Sequence, residues 1–97
     1  MLGKLSDAIA FARQHVGRSI EIQQLLIFLV ICRQKGMKTE ELAVACDVNR
    51  TSLSRNITSL CKRQLVQKEV NHEGRGYIYN PTNTGMDVYN KLVAFLA

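Results

Sequence analysis

The segment that spans residues 49 to 63, NRTSLSRNITSLCKR, combines guanidinium groups with short hydroxyl and amide side chains and contains no acid. A solvated helix surface is usually filled with Glu, Lys, Gln and Ala instead. Arginine can hold guanine through two hydrogen bonds, and Ser and Thr can bind base edges or phosphate oxygens. These residue types therefore favour contact with a nucleic acid over contact with water.

The same segment is predicted to be a helix with one narrow apolar side. Leu53, Ile57, Leu60 and Cys61 recur at helical spacing and are expected to face a core. The opposite side then carries Arg50, Thr51, Ser52, Ser54, Arg55, Thr58 and Lys62. A helix with this face matches the dimensions and the donor and acceptor pattern of the B-DNA major groove.

Roles within this face follow from position along the helix. Residues near the N-terminus of a recognition helix usually approach the base edges, so that we expect this of Arg50, Thr51, Ser52 and Arg55. Phosphate contacts are expected from Thr39, Ser54, Thr58 and Lys62. The alternative for Arg55 is an ion pair within its helix or with another part of the domain.

The charge distribution supports the same interpretation. The net charge is +5, and the stretch from Val48 to Lys68 contains five cations and no acid, which equals the whole excess. A clustered basic face is typical of proteins that bind nucleic acids. The alternative is a solvated basic face without a partner.

The 97 residues are enough for one domain with a modest core. A first helix is predicted over 4–17, and a second helix, capped by Ser19 and ending near Lys35, is apolar on all sides and therefore central. Thr39 is predicted to cap a short helix that reaches Cys46. A turn and a second cap at Asn49 then complete a helix-turn-helix over about 39–63.

After Leu65 the apolar period changes to two. The stretches VQKEVN and YIYNPT predict two strands of a hairpin, or wing, over about 66–81, joined by HEGRG. Arg75 at its tip is expected to enter the minor groove, the alternative being a solvated turn residue. Thr82 is predicted to cap a last helix over 83–96. The predicted fold is mainly α with a small β-hairpin, in the order α-α-α-α-β-β-α: a winged helix-turn-helix.

Several short motifs resemble the multiple-antibiotic-resistance regulator (MarR) family. They are Leu42-Ala43, Ser52-Leu53-Ser54-Arg55, Leu65-Val66 and Thr82-Asn83-Thr84-Gly85. The resemblance covers about residues 20 to 90. It implies a winged helix and a regulator of transcription, with Gln64 standing where family members commonly have Gly.

Other classes of function have no support in the sequence. There is no phosphate-binding loop, nucleophile motif or acid pair, and the chain is not expected to be an enzyme or to need a cofactor. Cys32, Cys46 and Cys61 lack metal-ligand spacing and are expected to be reduced, small core residues. The longest unbroken apolar run has eight residues, too short for a bilayer, and no secretory signal is visible. A cytoplasmic protein is expected.

The resulting prediction is sequence-specific binding to double-stranded DNA by a transcriptional regulator that acts as a repressor. A homodimer is expected through the first and last helices, with Phe11, Met86, Val88 and Phe95 as its surface or, alternatively, as part of the monomer core. Two further functions stay open: replication, partition or phage and plasmid control, and a winged helix that binds proteins. A small-molecule effector is compatible with the family, but no residue pattern supports one.

Overall fold

The structure, a computed structural model, describes residue 10 and residues 21–96. Residues 21–96 form four helices and three strands. In chain order these are α1 (Ile22–Arg33), β1 (Met37–Lys38), α2 (Thr39–Cys46), α3 (Arg50–Lys62), β2 (Val66–Val70), β3 (Tyr77–Pro81) and α4 (Asn83–Leu96). Except for Ala10, the predicted helix over 4–17 lies outside the described residues, as do Phe11 and the Ser19 cap. The winged helix-turn-helix fold predicted from the sequence is confirmed.

Helix α1 is central because it has apolar residues on every side. Ile27, Phe28 and Ile31 are completely buried, and the other helices and the sheet pack around them. The core consists of Ile27, Phe28, Ile31, Cys32, Leu42, Cys46, Leu53, Ile57, Leu60, Leu65, Val66, Tyr79, Val88 and Leu92. The apolar stripe that predicted the inward side of α3 is therefore confirmed for Leu53, Ile57 and Leu60.

A sharp turn at Asp47 joins α2 to α3. Asp47 has a left-handed backbone (φ 53°), and its N–H donates to the carbonyl of Val44 while the N–H of Val48 donates to Ala43. This pair of hydrogen bonds is a Schellman motif, which ends a helix and turns the chain. Asp tolerates the left-handed conformation better than most residues, so the turn forms without glycine.

A second Schellman motif ends α3. The N–H of Leu65 donates to Leu60 (3.1 Å) and the N–H of Gln64 donates to Cys61 (3.0 Å). Gln64 lies at the left-handed position, with φ 61°. The glycine that the family commonly has there would adopt this conformation without steric cost. Leu65 is buried beneath the turn and leads directly into β2.

The sheet contains one strand more than the predicted hairpin. Strand order is β1-β3-β2, all antiparallel, with Lys68 opposite Tyr79 and Met37 opposite the same Tyr79 on the other side. Strand β1 has only two residues, too few to produce an alternating pattern in the sequence. It fixes the start of α2 against the wing.

Helix α4 begins where the chain returns to the end of α3. The Thr82 hydroxyl accepts from the N–H of Gly85 (2.9 Å), as predicted for a cap, and donates to the carbonyl of Gln64 (2.6 Å). Gly85 packs so closely that an added Cβ would lie 2.1 Å from the Leu65 carbonyl oxygen. The Thr-x-x-Gly motif thus joins α4 to the corner between α3 and β2.

Two predictions about single residues were wrong. Thr39 does not cap α2: Lys38 does, and its N–H donates to the Glu41 carboxylate (3.0 Å). The Thr39 hydroxyl instead shares a hydrogen bond with the Tyr79 hydroxyl (3.1 Å). Val88 is not surplus apolar surface, because it is 8% exposed and belongs to the core. Met86 is half-buried against that core, so the alternative interpretation applies to both residues.

Candidate nucleic-acid interface

Helix α3 is anchored on one side and open on the other. Three buried apolar residues of α3 face the core, and Asn56 also connects α3 to α1. The side-chain amide of Asn56 donates to the Gln23 side chain (3.3 Å) and to the Ser52 carbonyl (2.9 Å). The side-chain oxygen of Asn56 accepts from Gln24 (3.4 Å). The side chain of Gln24 is almost fully buried. These polar contacts fix the rotation of α3, and with it the direction of its exposed face.

The N-terminus of α3 is capped as predicted. The side chain of Asn49 accepts from the N–H of Ser52 at 2.8 Å, which satisfies one of the free donors at the start of the helix. The first turn has no acid. The remaining positive end of the helix dipole is consequently available to an external anion.

Five of the predicted contact residues share the open face of α3. Thr51, Ser54, Arg55, Thr58 and Lys62 are all exposed, and each lies three or four residues from another member of the set. The Thr58 hydroxyl donates to the Ser54 carbonyl (2.8 Å), so its oxygen can still accept a hydrogen bond. Arg55 forms no ion pair with any residue in 21–96.

Three other predicted residues lie off this face. Arg50, the first residue of α3, donates to the carboxylate of Glu40 in α2. Ser52 is half-buried beside the cleft between α1 and α3. Thr39 is half-buried and bonded to Tyr79. The sequence predicted which residues occupy α3 but not these lateral contacts, because their partners are distant in the chain.

The tip of the wing is held by Asn71, which is 8% exposed. Its side-chain oxygen accepts from the N–H of Glu73 (3.2 Å), and its backbone N–H donates to the carbonyl of Gly76 (3.0 Å). Gly76 adopts φ 84°, a conformation that glycine reaches easily. The tight loop that results leaves the Arg75 side chain exposed at the end of the hairpin.

A groove of about 370 Å³ separates the open face of α3 from the sheet. It is lined by Ser54, Thr58 and Lys62 on the helix and by Lys68 on β2. The Lys68 ammonium lies 4.0 Å from the centre of the Tyr77 ring, a cation–π contact that steadies it. Lys68 was not among the predicted contact residues. The only indication of this role in the sequence was that Lys68 belongs to the cation-rich stretch from Val48 to Lys68.

A second groove, of about 660 Å³, lies between the wing tip and the starts of α2 and α3. Arg50 and Arg75 approach it from two different elements, and Lys38 lines it from β1. Glu40 and Glu41 lie in the same groove. The basic surface therefore continues from α3 to the wing, but here it is partly neutralised by acids.

The thiols do not contribute a reactive group to this surface. Burial raises the pKa of Cys32 to about 12, although nearby Lys35 opposes the shift. Burial also raises the pKa of Cys46 and that of Cys61, where Lys68 opposes it. The predicted core role is confirmed for Cys32 and Cys46, whereas Cys61 is only half-buried.

Two other kinds of site are absent from the described part of the chain. Residues 21–96 contain no group of three or more His, Cys, Asp or Glu side chains placed to hold a metal ion. None of their helices is long and apolar enough to cross a membrane.

Comparison with known proteins connects this geometry to a family. Residues 19–76 match the sequence model of the MarR family. A SlyA-like transcription regulator from Listeria monocytogenes has a similar structure, with a TM-score of 0.75 and 24% identity over 95% of this chain and 59% of its own. The structure of MarR is similar too, at TM-score 0.75 and 24% identity over 96% of this chain and 72% of its own.

A putative MarR family regulator from Listeria monocytogenes, crystallised with a 26mer DNA, has a TM-score of 0.74 and 24% identity. The alignment covers 95% of this chain and 59% of that regulator. At this level of identity the solved structures establish the fold alone, and the chain spans less than two thirds of both Listeria proteins. No curated protein matches the chain.

Proposed function

Because this chain belongs to the MarR family, we propose that it binds double-stranded DNA sequence-specifically and regulates transcription as a repressor. In this proposal α3 enters the major groove and the wing tip lies in the adjacent minor groove. Repression would follow directly from occupying a promoter.

The open face of α3 is the observation that carries this proposal. Its five exposed residues include two cations and three hydroxyl groups, and no acid occurs between Asp47 and Glu69. Short side chains permit close approach to the bases, while the missing carboxylates avoid repulsion from phosphate. A helix exposed only to water would gain nothing from this combination.

We divide the residues of the open face into those that contact bases and those that contact phosphates. Thr51 and Arg55 are proposed to meet base edges, with Arg suited to guanine and the Thr methyl to thymine. Ser54, Thr58 and Lys62 are proposed to bind phosphates, together with Lys68 across the groove. Arg75 is proposed to enter a narrow minor groove, where negative potential is concentrated.

Smaller roles are proposed for the three predicted residues that lie off the open face of α3, namely Ser52, Thr39 and Arg50. Ser52 is half-buried, which weakens its predicted contact with a base. Thr39 retains its proposed phosphate contact only if the bond to Tyr79 rearranges. Arg50 reaches a base or phosphate after it leaves Glu40.

We propose further that the protein acts as a homodimer. One winged domain offers few base contacts, and two linked domains on paired half-sites multiply both affinity and specificity. The contact is assigned to the predicted helix over 4–17 and to α4, where Val93 is 46% exposed.

Selection of fragments from the native genome by the purified protein tests the proposal. The affinity of the best fragment is then followed against salt concentration. Recovery of an inverted repeat, bound with a log–log salt slope of roughly −5 or steeper, would support a dimeric specific regulator. Recovery of no preferred sequence, with weak binding that vanishes at moderate salt, would contradict it.

A further inference from the structure

The ion pair between Arg50 and Glu40 lies at the entrance to the proposed interface. Arg50 is the first residue of α3, and its Nη2 donates to Glu40 Oε1 in the first turn of α2. Both side chains are open to solvent, 69% exposed for Arg50 and 75% for Glu40. The pair therefore contributes little to folding, because exposed ion pairs are weak.

Electrostatics around the pair favour an incoming anion. The groove between the wing tip and α2 holds three cations, Lys38, Arg50 and Arg75, and two acids, Glu40 and Glu41, so 3 − 2 leaves a net charge of +1. Arg50 also lies at the positive end of the α3 dipole, where a cation is disfavoured and an anion is attracted. Glu40 is the anion that the Arg50 side chain contacts in the free protein.

A phosphate and the Glu40 carboxylate would compete for the same guanidinium. Carboxylate and phosphate oxygens both accept hydrogen bonds from the planar guanidinium group of arginine. An arginine that binds one of them through Nη2 has fewer donors for the other. Arg55, by contrast, forms no ion pair within residues 21–96 and needs no exchange. Before DNA binds, Arg50 is therefore in contact with a carboxylate, whereas Arg55 has no such contact within residues 21–96.

We infer that Glu40 competes with DNA for Arg50 and thereby lowers the affinity of the protein for DNA, an inference that rests on the proposed DNA-binding function. Arg50 can bind a phosphate or a base only after it releases Glu40. The free energy of the ion pair is therefore subtracted from the binding free energy of every complex in which Arg50 contacts DNA.

The test compares Glu40→Gln with Glu41→Gln. Both variants remove one negative charge from the same groove, but only the first breaks the ion pair, and a Gln at position 41 can still accept from the Lys38 N–H. Dissociation constants are measured across salt concentrations for the best genomic fragment and for a scrambled duplex of equal length and composition. Melting temperatures confirm that both variants fold.

For Glu40→Gln we expect the affinity for the scrambled duplex to rise roughly two- to fivefold. Its log–log salt slope should steepen by about 0.9, which corresponds to one more phosphate contact. The affinity for the genomic fragment should rise at least as much, because the ion pair is fully lost when Arg50 contacts that fragment. In an Arg50→Ala background, Glu40→Gln should act no differently from Glu41→Gln.

Two results would overturn the inference. Equal effects of the two Gln variants would mean that only the overall charge of the groove matters. A loss of affinity for the genomic fragment in Glu40→Gln would make Glu40 a support that orients Arg50 in the complex. Failure of the proposed function would give a different result, because the wild-type protein would then bind the fragment and the scrambled duplex equally well.

Discussion

At the scale of single residues, Arg55 is the side chain whose role depends least on its neighbours. It is exposed and forms no ion pair within residues 21–96. If Arg55 reads a base, Arg55→Ala should weaken specific binding by about 1–3 kcal/mol and leave the melting temperature nearly unchanged. Arg33→Ala is the matched control, because Arg33 is also exposed but lies at the end of α1. A large drop in melting temperature with unchanged affinity per folded molecule would refute the assignment.

Gln64 gives a prediction about stability at the same scale. A non-glycine residue in the left-handed region costs about 1–2 kcal/mol, while glycine adds about 0.4–1 kcal/mol of unfolded-state entropy. Gln64→Gly should therefore stabilise the fold by about 0.5–1 kcal/mol in urea unfolding. Gln64→Ala keeps the strained backbone and should give no gain. Destabilisation by glycine would show that the Gln64 side chain contributes contacts that outweigh the strain.

At the scale of elements, Gly85 controls how α4 meets the corner between α3 and β2. A Cβ at this position would lie 2.1 Å from the Leu65 carbonyl oxygen, so α4 or the corner must move. We expect Gly85→Ala to destabilise the protein by about 2–4 kcal/mol in chemical unfolding. Thr84→Ala, one residue earlier and exposed, should change stability by less than about 0.5 kcal/mol. Similar values for both variants would contradict the close packing.

Elements whose signals are local were predictable from the sequence. The Asn49 cap, the apolar stripe of α3, the two wing strands and the Thr82 cap each depend on residues a few positions apart. Strand β1 was missed because two residues carry no period, and its existence depends on pairing with Tyr79, about 40 positions away. The Lys38 cap displaced Thr39 because that same strand fixes the backbone just before α2.

The sequence predicted which residue types the candidate site contains, but not the side-chain contacts that join its elements. Residue types and helical spacing predicted seven residues for the open face of α3, and five of them share it. The Arg50–Glu40 pair, the Asn56 anchor and the Lys68–Tyr77 contact join different elements, so no local pattern announces them. The nine predicted contact residues remain predictions until DNA binding is measured.

At the scale of the whole molecule, the buried thiol of Cys32 links stability to alkaline pH. Burial raises its pKa from 9.0 to about 12, so the folded state keeps a proton that the unfolded state loses. The stability associated with this group is complete below about pH 9 and is lost as the pH rises toward 12, by at most about 1.4 kcal/mol per pH unit. Cys32→Ala should flatten the decline in unfolding free energy over this range. An unchanged slope would contradict the buried-thiol explanation.

The most direct test of the central claim is methylation protection of guanine N7 atoms, which lie in the major groove, on the selected genomic fragment. With α3 in the groove of each half-site, we predict two clusters of protected guanines whose centres are about 34–36 Å apart, or a multiple of that distance. Arg55→Ala should restore reactivity at one guanine in each cluster. A saturated wild-type complex in which every guanine N7 stays reactive would contradict insertion of α3 into the major groove.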